Sequence, residues 1–229
     1  MRGSRKTLAL LAVLTLALAL VAAGCGGGDD GGGATTGGEA QAGGTLVFAG
    51  ATDPVVLDGA LVSDGESLRV IDQIFEGLVA LAPGTTEIVP ALAESWEASA
   101  DGLAWTFNLR SGVTFHDGEA FNAAAVCYNF DRWYNFKGSF QNPSASYYWQ
   151  TVFGGFAETD PDSGAPAESL YSSCEVTDDS TVVLNLTKAS SSFLGALSLS
   201  SFSIASPQAL AVMNVLHQQF CANPEEKTT

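Results

Sequence analysis

The sequence predicts a mixed α/β (α+β) fold, because strand and helix patterns follow one another without the regular βαβ alternation of a parallel sheet. Apolar and polar residues alternate over residues 105–110 and 181–187, which is the period of a half-buried strand. Apolar residues at helical spacing follow Ser67 and Asn122. Hydrophobic residues make up 46% of the 229-residue chain, enough for a packed core.

The first elements are predicted from short local signals. Thr45–Ala49 is an apolar run next to glycine, typical of a buried strand, and Asp53-Pro54 ends it. Ser67 is the predicted N-cap of the first helix. That helix is expected to extend through the apolar positions Leu68, Ile71, Phe75 and Leu78.

A β-hairpin and a second helix come next. The hairpin joins a segment centred on Trp96 to the strand at 105–110 through the turn dipeptide Asp101-Gly102. A second turn is predicted at Asp117-Gly118. Asn122 is then expected to cap a helix whose apolar stripe holds Val126, Phe130 and Trp133.

The rest of the chain is predicted to hold a loop, a strand and a short helix. Residues 138–167 are rich in Gly, Pro, Ser and Asp and predict a long surface loop, with an unusual aromatic cluster at 147–149. The strand at 181–187 should turn Val182, Leu184 and Leu186 inward. Ser206-Pro207 is expected to open the last helix.

The charge balance excludes one large class of function. Nine basic residues face 25 acidic ones, a formal net charge of −16. Nucleic-acid binders present a basic face to phosphate, so no nucleic-acid partner is expected. Neutral or cationic solutes, or basic patches on other proteins, suit this chain better.

The N-terminus has the pattern of an exported lipoprotein. Arg2, Arg5 and Lys6 precede an apolar run at 8–23 that is short for a membrane span. The run ends in Val21–Cys25, which resembles a lipobox. We therefore predict a signal peptide at 1–24 and lipidation of Cys25, with an ordinary signal peptide or an uncleaved anchor as the alternatives.

The residues that follow Cys25 predict a tether and a location. Residues 25–44 are Gly-rich and contain nothing that a core would bury, so they are expected to form a flexible tether. The protein is then expected on the outer face of the cytoplasmic membrane, in the cell envelope or periplasm. An oxidising exterior permits disulfides. Cys127 and Cys174 lie in well-patterned sequence and Cys221 does not, so we predict a Cys127–Cys174 disulfide, or else two small buried side chains.

One long segment resembles a known family. It runs Ala93-Glu94-Ser95-Trp96, Asp101-Gly102, Trp105-Thr106-Phe107-Asn108-Leu109-Arg110 and Gly112-Val113-Thr114-Phe115-His116-Asp117-Gly118. This order of a Trp strand, an Asp-Gly turn, a Phe-x-Leu-Arg strand and a Phe-His-Asp-Gly turn is similar to that of family 5 of the extracytoplasmic solute-binding proteins. These proteins serve ABC importers of oligopeptides, dipeptides and nickel complexes. Residues 74–78, 90–93 and 57–58 resemble the same family.

The resemblance implies a periplasmic-binding-protein clamshell of the class with an extra N-terminal domain. Two lobes close on a solute, expected to be a peptide, and the closed form docks on an ABC permease. Such a receptor is not an enzyme, so we expect no cofactor, no metal and no catalytic residue, and we expect a monomer. The loop after the first strand and aromatic residues of the first lobe approach the cleft in this family. By this resemblance, the candidate solute contacts in this chain are Thr52, Asp53, Tyr147, Tyr148 and Trp149.

Each nomination has a plainer alternative. Asp53 also suits a turn before Pro54, and the aromatic cluster also suits packing beneath the long loop. The signature residues are expected to be mainly structural: Trp96, Asp101, Gly102, Phe107, Leu109, Arg110, Gly112, Val113, Phe115, His116, Asp117 and Gly118. Arg110 is a candidate partner of Asp117. His116 is interpreted as a fold residue rather than a catalytic group or a metal ligand, because no nucleophile accompanies it.

The expected boundaries follow the resemblance. Residues 45–210 are predicted to be the N-terminal lobe of the solute-binding domain, and only this first-lobe portion of the clamshell is expected to be present. Residues 211–229 are interpreted as an atypical tail, the mark of a truncated or frameshifted reading frame, since they do not resemble a family continuation. The alternative function is a short surface lipoprotein that acts as a structural or interaction module without a transport role.

Overall fold

The computed structural model describes residues 44, 45 and 47–213. The predicted signal peptide, Cys25, almost all of the tether and most of the tail, with Cys221, lie outside the described residues. The chain divides into two units, Met1–Phe48 and Ala49–Thr229. Every helix and strand described below belongs to the second unit.

Helices and strands alternate irregularly along this unit, which confirms the mixed α/β class. The helices are α1 (Gly65–Ile74), α2 (Ala123–Tyr134), α3 (Tyr147–Val152) and α4 (Phe193–Ala196). Short 3₁₀ turns occur at Gly59–Leu61, Gly138–Gln141 and Ser200–Phe202, and residues 207–213 are helical. The strands are β1 (Val79–Leu81), β2 (Ile88–Pro90), β3 (Ala93–Ala98), β4 (Ala104–Leu109), β5 (Tyr171–Asp178) and β6 (Thr181–Leu186).

Four of the strands form an antiparallel sheet in the order β3-β4-β6-β5, and β1 pairs with β2. The register places Trp96 opposite Phe107, and Phe107 opposite Val182. Because side chains alternate between the faces of a strand, one face of this sheet carries the apolar residues. The buried ones are Phe107, Leu109, Val182, Leu184 and Leu186, so the predicted inward positions of both alternating strands are confirmed, apart from the half-buried Trp105.

Helix α2 covers that apolar face. It begins where predicted, because the Asn122 side chain accepts the N–H of Ala125 at 2.9 Å. Its stripe of Val126, Phe130 and Trp133 is buried. The Phe130 ring stacks on Tyr171 of β5 with 5.8 Å between ring centroids. The core is therefore an aromatic layer between α2 and the sheet.

The predicted strand at Thr45–Ala49 is wrong for the described residues. Residues 45 and 47–49 have no strand geometry, and Val47 and Phe48 are 87% and 67% exposed. An apolar run becomes a strand only where a neighbouring strand accepts its backbone hydrogen bonds. The six described strands pair with one another instead.

The predicted start and end of the first helix are also wrong. Asp64 is the N-cap, and its Oδ1 accepts the Ser67 N–H at 2.8 Å, while Ser67 is buried inside the first turn. The helix stops at Ile74 because the next residues enter backbone pairing. The carbonyls of Gly77 and Leu78 accept the N–H groups of residues 92 and 93.

The predicted loop at 138–167 is more ordered than its composition indicates. It contains a 3₁₀ turn and all of α3. Buried Gln141 holds it together: Nε2 donates to the carbonyls of Phe136 and Glu158, both at 2.7 Å, and Oε1 accepts the Asp160 N–H at 2.7 Å. The Gln141 amide thus forms hydrogen bonds with three backbone groups. In a strand, these groups would be paired with a neighbouring strand.

Candidate functional site

A groove of about 590 Å³ opens beside α1. We call it the α1 groove. Its apolar lining includes Leu57, Ile71, Phe75, Phe115, Phe121 and Leu210. Carboxylates of Asp72, Glu76 and Asp117 stand along it. The groove therefore combines an apolar floor with an acidic rim.

The rim carboxylates already have partners within the protein. Asp72 accepts a hydrogen bond from the Ser200 hydroxyl, and Asp117 accepts one from the Ser206 hydroxyl. The bond from Ser206, helped by the Glu119 backbone N–H, lowers the pKa of Asp117 below its usual 3.8. The Asp117 carboxylate therefore remains ionised at neutral pH.

The proposed pairing of Arg110 with Asp117 is wrong. Arg110 lies 3.7 Å from Glu76 instead, and its guanidinium also donates to the Ala91 carbonyl. Asp117 is held by Ser206 because the turn at Gly118, with φ +90°, directs the Phe115–Glu119 segment toward residues 203–206. These contacts tie the signature turn to the start of the last helix.

The remaining signature residues have structural positions. Phe107 and Leu109 are buried, while Trp96, Val113 and Phe115 are half-buried against the core. Asp101 Oδ1 accepts the Leu103 N–H at 3.0 Å within the hairpin turn. Positive φ values place Gly102 and Gly112 in the left-handed region, as turns require. His116 is exposed beside the α1 groove.

The loop that holds Thr52 and Asp53 lies next to α1. Both side chains are exposed, whereas Pro54 is half-buried. The loop leads to Asp58, which is buried and forms an ion pair with Arg132 of α2 at 2.6 Å. The two nominated polar residues therefore lie on a surface loop that is connected directly to the core.

The nominated aromatic residues are all on α3, and they differ in exposure. Tyr147 is 48% exposed, Tyr148 is half-buried, and their rings meet edge to face at 5.1 Å. Trp149 is only 1% exposed, and its Nε1 donates to the Gly155 carbonyl at 3.0 Å. Burial favours the packing alternative for Trp149 and leaves the two tyrosines as candidates.

Several buried polar side chains have roles that the sequence does not predict. Asn129, within the apolar stripe of α2, donates through Nδ2 to the Ala125 and Ala205 carbonyls at 2.9 and 2.8 Å, and its Oδ1 accepts the Ala205 N–H at 3.2 Å. In the sequence, a polar residue between the apolar positions Val126 and Phe130 is the pattern that indicates a buried side chain bonded to the backbone. Ser67 and Arg132 leave no comparable local signal.

Two other features complete the description of this part of the chain. A disulfide joins Cys127 of α2 to Cys174 of β5, with 5.2 Å between the Cα atoms. Among the described residues, no group of three or more His, Cys, Asp or Glu side chains is arranged to hold a metal ion. No helix in the same ranges is both long and apolar enough to cross a bilayer.

Comparison with known proteins identifies relatives of this chain. Residues 87–227 match the model of the bacterial extracellular solute-binding proteins, family 5 Middle. Heme-binding protein A of Haemophilus influenzae is 35% identical over 87% of this chain and 36% of its own length. The dipeptide-binding protein of Escherichia coli is 35% identical over 72% of this chain and 30% of its own.

Comparison of the fold with solved structures finds proteins of the same kind. The ABC transporter-associated periplasmic binding protein DppA of Helicobacter pylori, solved with the peptide STSA, superposes with a TM-score of 0.55 at 32% identity. The match covers 73% of this chain and 32% of that protein, so this chain spans about a third of the length of its relatives. The chain belongs to family 5 of the bacterial extracellular solute-binding proteins.

Proposed function

We propose that this chain acts in a lipid-anchored solute-binding receptor of an ABC importer, and that its solute is a peptide or a peptide-like compound. The observation that carries the proposal is the family match over residues 87–227, which includes the hairpin and the signature turn. The E. coli relative is named for dipeptides, and the H. pylori structure holds a peptide. The H. influenzae relative is named for heme.

The proposed solute contacts are Thr52, Asp53, Tyr147 and Tyr148. A carboxylate at an exposed loop suits the α-amino group of a peptide, because an ammonium group and a carboxylate form a charge-assisted hydrogen bond. Exposed tyrosines offer apolar ring faces and a hydroxyl to varied side chains. Recognition of this kind needs no covalent step.

The proposed location rests on the N-terminal sequence. Lipidation of Cys25 would place acyl chains in the bilayer, and the Gly-rich segment would hold the folded part away from the membrane surface. The receptor would then deliver its solute to permease subunits in the same membrane. Mass spectrometry of the protein from a bacterial membrane tests this step: Cys25 should carry the lipid, and Cys25→Ser should release an unmodified protein.

Peptide binding by the purified full chain tests the function. We expect a dipeptide with a free amino group to raise the Tm and to give saturable heat in a titration, and its N-acetylated form to bind more weakly. Asp53→Asn should remove the preference for the free amine without changing the Tm of the unliganded protein, since the Asp53 side chain is exposed. Tm and titration curves that no peptide changes would overturn the proposal and favour a non-transport surface lipoprotein.

A further inference from the structure

The loop at residues 49–58 is held to the protein by contacts on both sides of its most exposed residues. We propose that Ser67 is a positioning residue for solute recognition: its buried hydroxyl holds the Val55 backbone and thereby presents Thr52 and Asp53 to the solute. This inference rests on the proposed function. Ser67 itself touches no solute in this proposal.

The contact from Ser67 is direct. Its Oγ accepts the Val55 N–H at 2.9 Å, and the Ser67 residue has no exposed surface. The backbone of Ser67 is fixed in turn, because its N–H donates to the Asp64 cap at 2.8 Å. The Val55 side chain is 81% exposed, so burial contributes little to holding this residue. The amide–hydroxyl bond is therefore the main attachment of the loop at this position.

A close approach lies at the start of the loop and an ion pair at its end. At the start, Gly50 lies so close to Glu66 of α1 that an added Cβ would meet the Glu66 Oε2 at 2.9 Å. At the end, the buried Asp58 pairs with Arg132 at 2.6 Å. Thr52 and Asp53 lie between these contacts, which come from the first turn of α1 and from α2.

The exposed residues depend on these backbone contacts for their position. In the part of the chain that the structure describes, neither the Thr52 nor the Asp53 side chain makes a hydrogen bond of its own. A recognition group that is fixed before binding avoids the entropy cost of being ordered by the ligand. Loss of the Ser67 hydroxyl should therefore weaken solute binding through Asp53 while leaving the core intact.

The test compares Ser67→Ala with Asp64→Ala in the full chain. S67A removes the acceptor of the Val55 N–H, whereas D64A removes the cap of the same helix and leaves that acceptor in place. Hydrogen exchange should show the Val55 amide exchanging roughly tenfold faster in S67A, the effect of one lost hydrogen bond. D64A keeps the acceptor, so it should raise exchange at Val55 less than S67A does, and it should lower the Tm through helix fraying.

Binding supplies the second measurement. The ratio of Kd values for an N-acetylated and a free dipeptide reports the contact with Asp53, and it should fall severalfold in S67A and less in D64A. Wild-type protein that binds peptide, with an unchanged ratio in S67A, would overturn the positioning role alone. An absence of peptide binding by the wild-type chain would overturn the proposed function itself. Equal effects of both variants would show that Ser67 acts only through helix stability, which also overturns the inference.

Discussion

Asp58 and Arg132 form an ion pair inside the protein, with 2.6 Å between Asp58 Oδ2 and Arg132 Nη2 and side chains only 5% and 6% exposed. The pair joins residues 74 positions apart and connects the loop before α1 to helix α2. Asp58 Oδ1 also accepts the Ala60 N–H at 3.2 Å, and the Arg132 guanidinium lies 5.1 Å above the Phe136 ring. A single buried pair thus fixes the end of the candidate solute loop.

Removing one member of this pair should be costly. Asp58→Ala leaves the Arg132 charge buried without its carboxylate, and we expect the free energy of unfolding to fall by about 3–5 kcal/mol. Urea denaturation followed by fluorescence measures the change. Lys137→Ala is the control, because Lys137 pairs with Glu158 at 3.0 Å while both side chains are more than 70% exposed. That loss should be roughly 0–1 kcal/mol, and equal losses in the two variants would contradict the prediction.

The disulfide should contribute a similar amount through a different mechanism. Cys127 and Cys174 are 47 residues apart, and closing a loop of this length in the unfolded chain corresponds to about 4 kcal/mol. We expect dithiothreitol, or the double variant Cys127→Ala/Cys174→Ala, to lower the free energy of unfolding by about 2–4 kcal/mol. Dithiothreitol should have no further effect on the double variant. A reduced wild type as stable as the oxidised one would contradict this expectation.

The parts of the fold that were predicted from sequence are those with a local cause. The strand at 105–110 shows its two-residue period, and the Asn122 cap acts on a backbone group three residues away. The first helix was misplaced because Asp64 and Ser67 are both good caps. In the structure the Ser67 hydroxyl accepts the Val55 N–H instead of capping the helix, and this bond spans 12 residues and is not visible in a local pattern.

The candidate site shows the same division. The turn at Asp53-Pro54 is predicted from its own residues, whereas Thr52 and Asp53 are nominated as solute contacts from the family resemblance. The contacts that hold the loop come from Ser67 and Arg132, which only the tertiary structure brings close. The strand expected at Thr45–Ala49 failed for a related reason: an apolar run predicts a strand only if a partner strand is present, and none of the described strands pairs with it.

Tyr147 and Trp149 should respond differently to truncation although they share helix α3. Trp149 packs against Phe153 with stacked rings 4.5 Å apart and is almost fully buried, so Trp149→Ala should cost about 3–5 kcal/mol. Tyr147→Ala removes a side chain that is 48% exposed and should change stability by less than about 1 kcal/mol. Thermal unfolding of both variants tests this. If Tyr147→Ala weakens peptide binding at unchanged Tm, Tyr147 is a solute contact.

Tyr171 should make the protein sensitive to alkali. Burial, together with the 2.7 Å hydrogen bond to Asp131, raises the pKa of the Tyr171 hydroxyl far above its usual 10.0. The folded state therefore favours the neutral phenol, and this stability is fully present below pH 10 and is lost as the pH rises above it. Tyr171→Phe should be less stable than wild type at pH 8, and the difference should shrink above pH 10. A difference that stays constant from pH 8 to 11 would contradict the assignment.

The hydrogen bond from Ser206 to Asp117 should make the stability of the protein depend on pH in acid. The Ser206 hydroxyl is the largest cause of the lowered pKa of Asp117, so the folded protein favours the carboxylate. A lowered pKa gives stability that is present above the usual 3.8 and lost as the pH falls through the lower folded value. Ser206→Ala should therefore lower the Tm by a constant amount at pH 5–7 and by progressively less below pH 3.8.

A second serine is the control for the loss of a hydroxyl hydrogen bond to an uncharged acceptor. Ser198 donates to the Gly195 carbonyl at 2.7 Å, and that acceptor does not titrate. Ser198→Ala should then change the Tm by the same amount at every pH between 2.5 and 7. Because Ser206 also accepts the Ala209 N–H at 3.4 Å, part of the Ser206→Ala loss should persist in acid. Only the part of the Tm loss that disappears in acid comes from the bond to the Asp117 carboxylate. If Tm depended on pH in the same way in both variants, the signature turn would not be held by that bond.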